Sequence, residues 1–460
     1  MTSDRTEPSS DPTPEGAALA PGLIAALEEG GVSGIALTLV DNSGVTRVKG
    51  IPVAKLTDAT IKGVGAPPVL DAFGIDDSIA AIGSPIGDLR LKPDVSQLVA
   101  LAAQPGWAWA PADRVHVDGT PYAGCQRSFA RAMEARAGDA GLRVLLAFET
   151  EWVVDAGQGD DLRTATDGPA YGMGRLIDLS DYGRDLLDAL RAEGVEVEQL
   201  HPEYAPSQME VSVSPLSPVA AADRVVLLRL TIRALSATHG YRMSLSPALT
   251  PDGVGNGAHV HLSVWRGDRN LVATRAGEID PEGAAWLAGV LDHLPALLAI
   301  GAPSVASYLR LQPQRWSAPW RCWGRENREA ALRVIAGSAS TGGAGANAEI
   351  KVFDASANPY LLVGAIIAAG LDGVARGLTL PPPVGVDPAG MDAGAREAAG
   401  VTRLPCSLPE ALDALESTPV LLAALGPELA DTWLAVRRAE VARFAHHSDD
   451  QVALASRWVW

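Results

Sequence analysis

The sequence predicts an α+β chain of two domains, a small β-rich one followed by a larger mixed one. Three observations carry this. The chain has 460 residues, more than one ordinary domain holds. Residues 34–53, GIALTLVDNSGVTRVKGIPV, alternate apolar and polar in the manner of a hairpin. Beyond Asp113, helix-period stretches such as SFARAMEARAGDA and DYGRDLLDALRAEG alternate with strand-period ones.

Taken in order, residues 1–20 have neither the basic nor the apolar region of a signal peptide and read as a disordered tail. A short helix is expected around residues 21–30, then the hairpin with its turn at Asp41–Gly44. A turn-rich stretch leads through GDLRLKPD to PGWAWAP, and Pro111–Asp113 reads as a boundary between domains 21–112 and 113–460. The last 55 residues read as mostly helical. The most apolar of the later stretches, YLLVGAIIAAGLDG, is too short before Asp372 to cross a bilayer. With 37 basic and 55 acidic side chains the net charge is −18, which argues against nucleic acid and membrane partners and favours cationic small molecules. Three scattered cysteines, Cys125, Cys322 and Cys406, point to free thiols in a reducing cytoplasm.

Within this frame AFETEWVV, residues 147–154, is an oddity. Alternate residues of a strand share a face, so Glu149 and Glu151 project together while Phe148 and Trp152 point the other way. Such a pair needs a cation between the charges or access to water; a solvated strand face is the other reading. Three further stretches repeat the pattern. HPEYAPSQMEVSVSP places Glu203 in a loop and Glu210 on a strand among Met209, Val211 and Val213. GAHVHLSV aligns His259, His261 and Ser263 on one face, and AEIKVFD aligns Glu349 with Lys351. Four strands that all offer Glu or His on one side imply a shared polar cavity holding cations, and oxygen-rich ligation without cysteine suits Mg²⁺ or Mn²⁺. Arg310, Arg315, Arg321, Arg325, Arg328 and Arg333 form a second cluster, with only Glu326 and Glu329 nearby to pair them. Arginine forks suit carboxylates and phosphates, so metals and arginines together suggest phosphoryl transfer onto an anionic acceptor.

The motifs FETE, HPEY with QME, GNGAHVHLS, SYLRLQP, RENREAALR and EIKVFDASANPYLL resemble those of the glutamine synthetase superfamily in order and spacing, over about residues 25–460. GDLRLKPD, PGWAWAP and CWGRENREAALR look most like its actinobacterial branch that includes γ-glutamylpolyamine synthetases. The resemblance implies a β-grasp N-terminal domain, a catalytic domain whose antiparallel sheet forms a bifunnel, and a dodecamer of two hexameric rings. It also implies ATP as co-substrate, L-glutamate and an amine as partners, and two to three Mg²⁺ or Mn²⁺ per active site. By motif, Glu151, Glu203 and Glu210 match one metal site and Glu149, His259 and Glu349 a second. His261, Ser263, Arg328, Arg333 and, more loosely, Glu198 match nucleotide contacts. Gly255 and Arg310 match positions that hold glutamate, with His259 and Lys351 beside them, and Arg310 and Arg328 are the candidate catalytic arginines. The implied reaction is phosphorylation of the glutamate γ-carboxylate by ATP, then displacement of phosphate by an amine.

Departures from the ammonia-using members are informative. Trp316 stands where they carry a flap glutamate, and PPVLDAFGIDDS replaces the segment that helps build their ammonium site. Lys351 and Asn347 each replace an arginine, and GVGNG replaces the loop before the histidine pair. No tyrosine lies between Gly377 and Pro405, so the family's adenylylation control is not expected. A larger amine explains the losses, with Trp316, Tyr171, Trp320 and Trp323 as candidate aromatic wall for an alkylammonium. Asp71, Asp76 and Asp77 are candidates to supply the missing acid from a neighbouring subunit. A polyamine acceptor ranks first, then ethanolamine or another monoamine, then ammonia, and last a non-catalytic scaffold.

Overall fold

The computed structural model describes residues 22–80, 86–272, 278–337 and 345–460; the expected tail at 1–20 lies outside the described residues. The N-terminal part comprises α1 (Leu23–Glu29), β1 (Gly34–Val40), β2 (Thr46–Pro52), α2 (Leu56–Lys62), β3 (Val64–Ala66), β4 (Leu89–Pro93), β5 (Val99–Ala100) and β6 (Trp107–His116). The expected hairpin forms: Asp41 Oδ1 accepts from the amides of Ser43 and Val45, and Gly44 N–H donates to the Asp41 carbonyl. Gly44 has φ 75°, and a Cβ there would sit 2.1 Å from the Ser356 carbonyl oxygen, so conformation and close approach both require glycine.

These strands form a sheet of order β2-β1-β6-β4-β3, with β5 on β6 and only β1–β6 parallel. β6 runs unbroken through residues 112 and 113, where the sequence reads as a boundary. It pairs with β1 over Trp107–Pro111 and with β4 over Ala112–His116. The proline there accompanies a change of partner along one strand.

The larger part follows as α3 (Gln126–Asp139), β7 (Arg143–Asp155), α4 (Met173–Asp178), α5 (Ser180–Ala192), β8 (Val197–Pro202), β9 (Gln208–Val213), α6 (Pro218–Thr238), β10 (Arg242–Ser244), β11 (Ala258–Arg266), β12 (Arg269–Asn270), α7 (Pro281–Gly301), α8 (Ser307–Arg310), β13 (Trp320–Arg321), β14 (Trp323–Arg325), β15 (Leu332–Ile335), β16 (Asn347–Ile350) and α9 (Pro359–Arg376). Then come α10 (Ala393–Ala398), β17 (Thr402–Arg403), α11 (Leu408–Glu416), α12 (Pro419–Leu425), α13 (Pro427–Phe444) and α14 (Asp449–Ser456), the helical end that the sequence predicts. A nine-stranded sheet runs β14-β15-β16-β11-β7-β9-β8, with β10 on β7 and β12 on β11. One face is apolar: Phe148, Trp152, Met209, Val211, Val260, Leu262 and Ile350 join the main core with residues of α3, α6, α7 and α9. The opposite face is left for the polar residues.

Helices α7 and α9 pack on each other. A Cβ on Gly289 of α7 would fall 2.3 Å from the Ala369 carbonyl of α9, so the backbones touch where side chains are absent. By length and composition both helices are apolar enough to cross a membrane, which corrects the expectation that the α9 stretch is too short. They lie 78% and 72% buried in the protein, and a helix that is apolar all round is what a core of this size requires.

Asp71 corrects a second expectation. It is buried, bonded to Arg114, to Gln126 Nε2 (3.0 Å) and to the Tyr122 hydroxyl (3.2 Å), and so is committed to holding the N-terminal sheet against α3. Asp76 pairs with Arg443 and Asp77 with Arg47. Cys125 and Cys322 are buried, Cys406 exposed, and all three are free.

Candidate active site

Strand register builds the site. His259 lies opposite Glu149 between β11 and β7, and Glu151 opposite Glu210 between β7 and β9. His201 faces Glu210 between β8 and β9, His261 faces Glu349 between β11 and β16, and Arg333 faces Glu349 between β15 and β16. Directly opposed residues share a face and lie within side-chain reach, so six neighbouring strands present one continuous polar row. Glu203 joins it from the loop after β8.

Among the described residues, ligand atoms come together in three sets, each within 4.8 Å: Glu149 with His259 and Glu349; Glu149 with Glu151 and Glu210; His201 with Glu203 and Glu210. The first set brings together three residues expected at one site, whereas the expected trio Glu151, Glu203 and Glu210 is divided between the other two sets, and His201 is an addition that the motif reading missed. Burial raises the Glu349 carboxyl, but Lys351 (3.0 Å), His259 and His261 outweigh it and hold the group at about 2. Glu149 is likewise held well below its usual range, against burial, by the two histidines. At the other end of the row burial pushes the Glu210 carboxyl up, and the charges of Glu149, Glu151 and Glu203 add to this despite His201. Glu210 in turn raises the His201 imidazole, 3.1 Å away. Carboxylates packed this closely, with one driven to hold a proton, suit a divalent cation, and the oxygen-rich donors suit Mg²⁺ or Mn²⁺.

The supporting residues are buried. Arg310 Nη2 donates to His259 Nε2 at 3.1 Å, since a guanidinium only donates, and its other bonds go to the carbonyls of Phe353 and Lys351. With Nε2 turned to Arg310, His259 Nδ1 is the nitrogen that faces the carboxylates, 2.7 Å from Glu149 and 3.4 Å from Glu349. Gln208 is a further residue missed beyond its place in the QME motif. Its Nε2 lies 3.0 Å from Glu151 Oε2, 3.1 Å from the Gly255 carbonyl and 3.0 Å from Asn256 Oδ1, tying a row carboxylate to the 253–257 loop. Gly257 N–H donates to the same Glu151 oxygen at 2.9 Å.

Above the row lies a cleft of about 510 Å³. Among the expected residues Glu149, Glu151, Glu203, Glu210, His259, Gly255, Arg310, Arg328, Arg333, Lys351, Tyr171 and Trp316 line it. Glu349 sits beneath, bonded to Arg333 and Lys351. His261 contacts Asn347 Oδ1, and the Ser263 hydroxyl accepts from Trp265, further along β11. Glu198 is exposed, accepts from the Ser214 hydroxyl and is outside the cleft lining. Arg321 turns away to Asp292. Of the four candidate wall aromatics, Trp320 lies under Arg396 and Arg403, and Trp323 is buried in the core; neither lines the cleft. Their place is taken by Tyr204, whose ring centre is 4.2 Å from that of Trp316. Tyr204 sits beside Glu203 in HPEY, but nothing local in the sequence brings it to Trp316.

A model of the glutamine synthetase catalytic domain matches residues 123–453. The chain belongs to the glutamine synthetase family. This glutamine synthetase family member is 50% identical to γ-glutamylpolyamine synthetase GlnA3 of Streptomyces coelicolor, over 98% of this chain and 99% of that one. It is 29% identical to the glutamate–methylamine ligase of Methyloversatilis universalis, over 92% and 96% of the two chains. Among solved structures it superposes on a glutamine synthase homologue with a TM-score of 0.83 at 34% identity, covering 93% of this chain and 99% of that one. In this family member the mixed α/β fold and the polar row thus agree with the resemblance read from six motifs.

Proposed function

We propose that this protein joins the γ-carboxyl group of L-glutamate to a polyamine at the expense of ATP, through γ-glutamyl phosphate. One observation carries the reading: the carboxylate–imidazole row and the Trp316–Tyr204 pair face the same cleft. The 50% relationship to a γ-glutamylpolyamine synthetase supports it. In this reading Glu149, His259 and Glu349 hold one divalent ion and Glu151, Glu203 and Glu210 another, with His201 adjoining, and two to three Mg²⁺ or Mn²⁺ act per site. Such ions neutralise nucleotide phosphates and fix the attacking carboxylate in line.

The chain's own groups do the rest. Arg310 and the loop at Gly255 hold glutamate, with Lys351 beside them. Arg328 and Arg333 stabilise charge on the moving phosphoryl group, and His261, Ser263 and Glu198 serve the nucleotide. The alkylammonium, with a pKa near 10.4 like lysine's, rests against Trp316, Tyr204 and Tyr171 before it loses a proton. We read the N-terminal sheet as a β-grasp domain, the larger sheet as one wall of a bifunnel, and the assembly as a cytoplasmic dodecamer of two hexameric rings. A monoamine acceptor is the second reading, favoured by the relationship to a methylamine ligase.

The test is phosphate release from ATP with Mg²⁺ and glutamate, comparing ammonium, ethanolamine, putrescine, spermidine and spermine, with mass spectrometry of products. Turnover with diamines or polyamines and a γ-glutamyl adduct is expected; activity with ammonium alone would make the protein a divergent glutamine synthetase. Trp316→Ala is expected to raise the KM for the preferred amine about 2- to 30-fold, the equivalent of one cation–π contact of roughly 0.5 to 2 kcal/mol. An unchanged KM for every amine removes the aromatic wall. Gln208→Met keeps the side-chain volume and deletes the amide. Calorimetry should show Mn²⁺ affinity lowered about 10- to 100-fold, and an unaltered value would mean that Gly257 alone orients Glu151.

A further inference from the structure

Arg175, on α4, is 3% exposed. Among the described residues no carboxylate forms an ion pair with it; every bond of its guanidinium goes to a main-chain carbonyl. Nε and Nη2 donate to Gly168 at 3.1 and 2.7 Å, and Nη1 reaches the carbonyls of Glu203 (2.6 Å), Tyr204 (3.2 Å) and Ala205 (2.8 Å). Burying a charge without a counter-ion carries a desolvation cost, so the arrangement calls for a reason. The carbonyls belong to two separate loops. One carries Tyr171, in a left-handed conformation at φ 57°, and the other carries Glu203 and Tyr204 and closes through Ser207 at φ 60°. Both loops end at the cleft.

The rings these two loops present are largely open, Tyr171 being 60% exposed and Tyr204 43%, and Tyr204 leans on Trp316, 44% exposed, from the segment between α8 and β13. Beyond the bond of the Tyr171 side chain to Glu203 and the contact of Tyr204 with Trp316, their placement depends on the backbone beneath them, where the Tyr171 N–H meets the Glu203 carbonyl only at 3.5 Å. The guanidinium is the stronger link. A planar fork with five donors satisfies carbonyls converging from two sides, and a lysine ammonium has one nitrogen to do so.

We infer that Arg175 is a positioning residue for amine specificity, a staple that sets the gap between Tyr171 and the Tyr204–Trp316 pair. This rests on the reading of the cleft mouth as the amine side. Widening that gap should cost a long amine, which spans the mouth, more than a short one.

The experiment is the ratio of kcat/KM for spermidine to that for methylamine in Arg175→Met, Arg175→Lys and the unmodified protein, with KM for L-glutamate and ATP measured alongside. The ratio is expected to fall about tenfold in Arg175→Met and less in Arg175→Lys, while KM for glutamate and ATP stays within about twofold. A merely structural role would lower activity with both amines equally and leave the ratio unmoved. Should Arg175→Met not fold, Arg175→Lys keeps the charge but gathers its donors on a single nitrogen, and its ratio decides. Polyamine preference retained in the folded variants overturns the role of Arg175 alone. Turnover of the unmodified protein with ammonium only overturns the reading of the mouth, and this role with it.

Discussion

Glu349→Ala is expected to lower kcat/KM for amine-dependent phosphate release by at least about 10²-fold and to remove measurable Mn²⁺ binding at the His259 end of the row. The carboxylate is 1% exposed, and Arg333, Lys351 and His259 all approach it, at 3.1, 3.0 and 3.4 Å. Removing it deletes a donor and also leaves a guanidinium and an ammonium without their shared partner, so cations repel where a cation is meant to bind. Glu349→Gln keeps the shape but not the charge, and should lose metal affinity nearly as fully. Calorimetric titration with Mn²⁺ beside a phosphate-release assay checks both. Activity within tenfold of the parent would take Glu349 out of the metal set.

Asp71→Ala is expected to cost about 3–5 kcal/mol of unfolding free energy, the usual loss when one partner of a buried ion pair is deleted. Arg114, 2% exposed, would keep only its bonds to Gly124 and Gln126, and Tyr122 and Gln126 would lose an acceptor each. The pair also joins parts of the chain far apart: Gln126 at the start of α3 reaches Asn42 in the hairpin turn as well as Asp71. Denaturant titration measures the loss. The double variant Asp71→Leu, Arg114→Met should recover much of it, since no charge is then left buried alone. A change in amine dependence with unaltered stability would return Asp71 to the acceptor site.

Much of this site is legible in the sequence because strand periodicity is local. Two acids at positions 149 and 151 share a face whatever the strand pairs with, and the same holds for His259 with His261. Those alternations, the glutamates at 203, 210 and 349, and the run of arginines from Arg310 point to metal and phosphate chemistry before any fold is known. The motifs add the family. What periodicity lacks is the identity of the neighbours. His259 meets Glu149 from 110 residues away, and that pairing depends on register across the whole sheet.

The misses have the same cause. Trp320 and Trp323 follow Trp316 closely in sequence, but one lies under Arg396 and Arg403 and the other is in the core, while Tyr204 comes from a different loop to pack against Trp316. Gln208 and Arg175 act through bonds to distant backbone and side chains, and their own neighbours in sequence carry no sign of it. The apolar runs of α7 and α9 are compatible by composition with a membrane or a core; their close contact places them in the core. By itself the sequence determined which side chains share each strand face, the acidic net charge and the family. The tertiary structure decided which faces meet, which aromatic rings reach the cleft and which acids are structural, because those outcomes depend on contacts between segments that local patterning leaves independent.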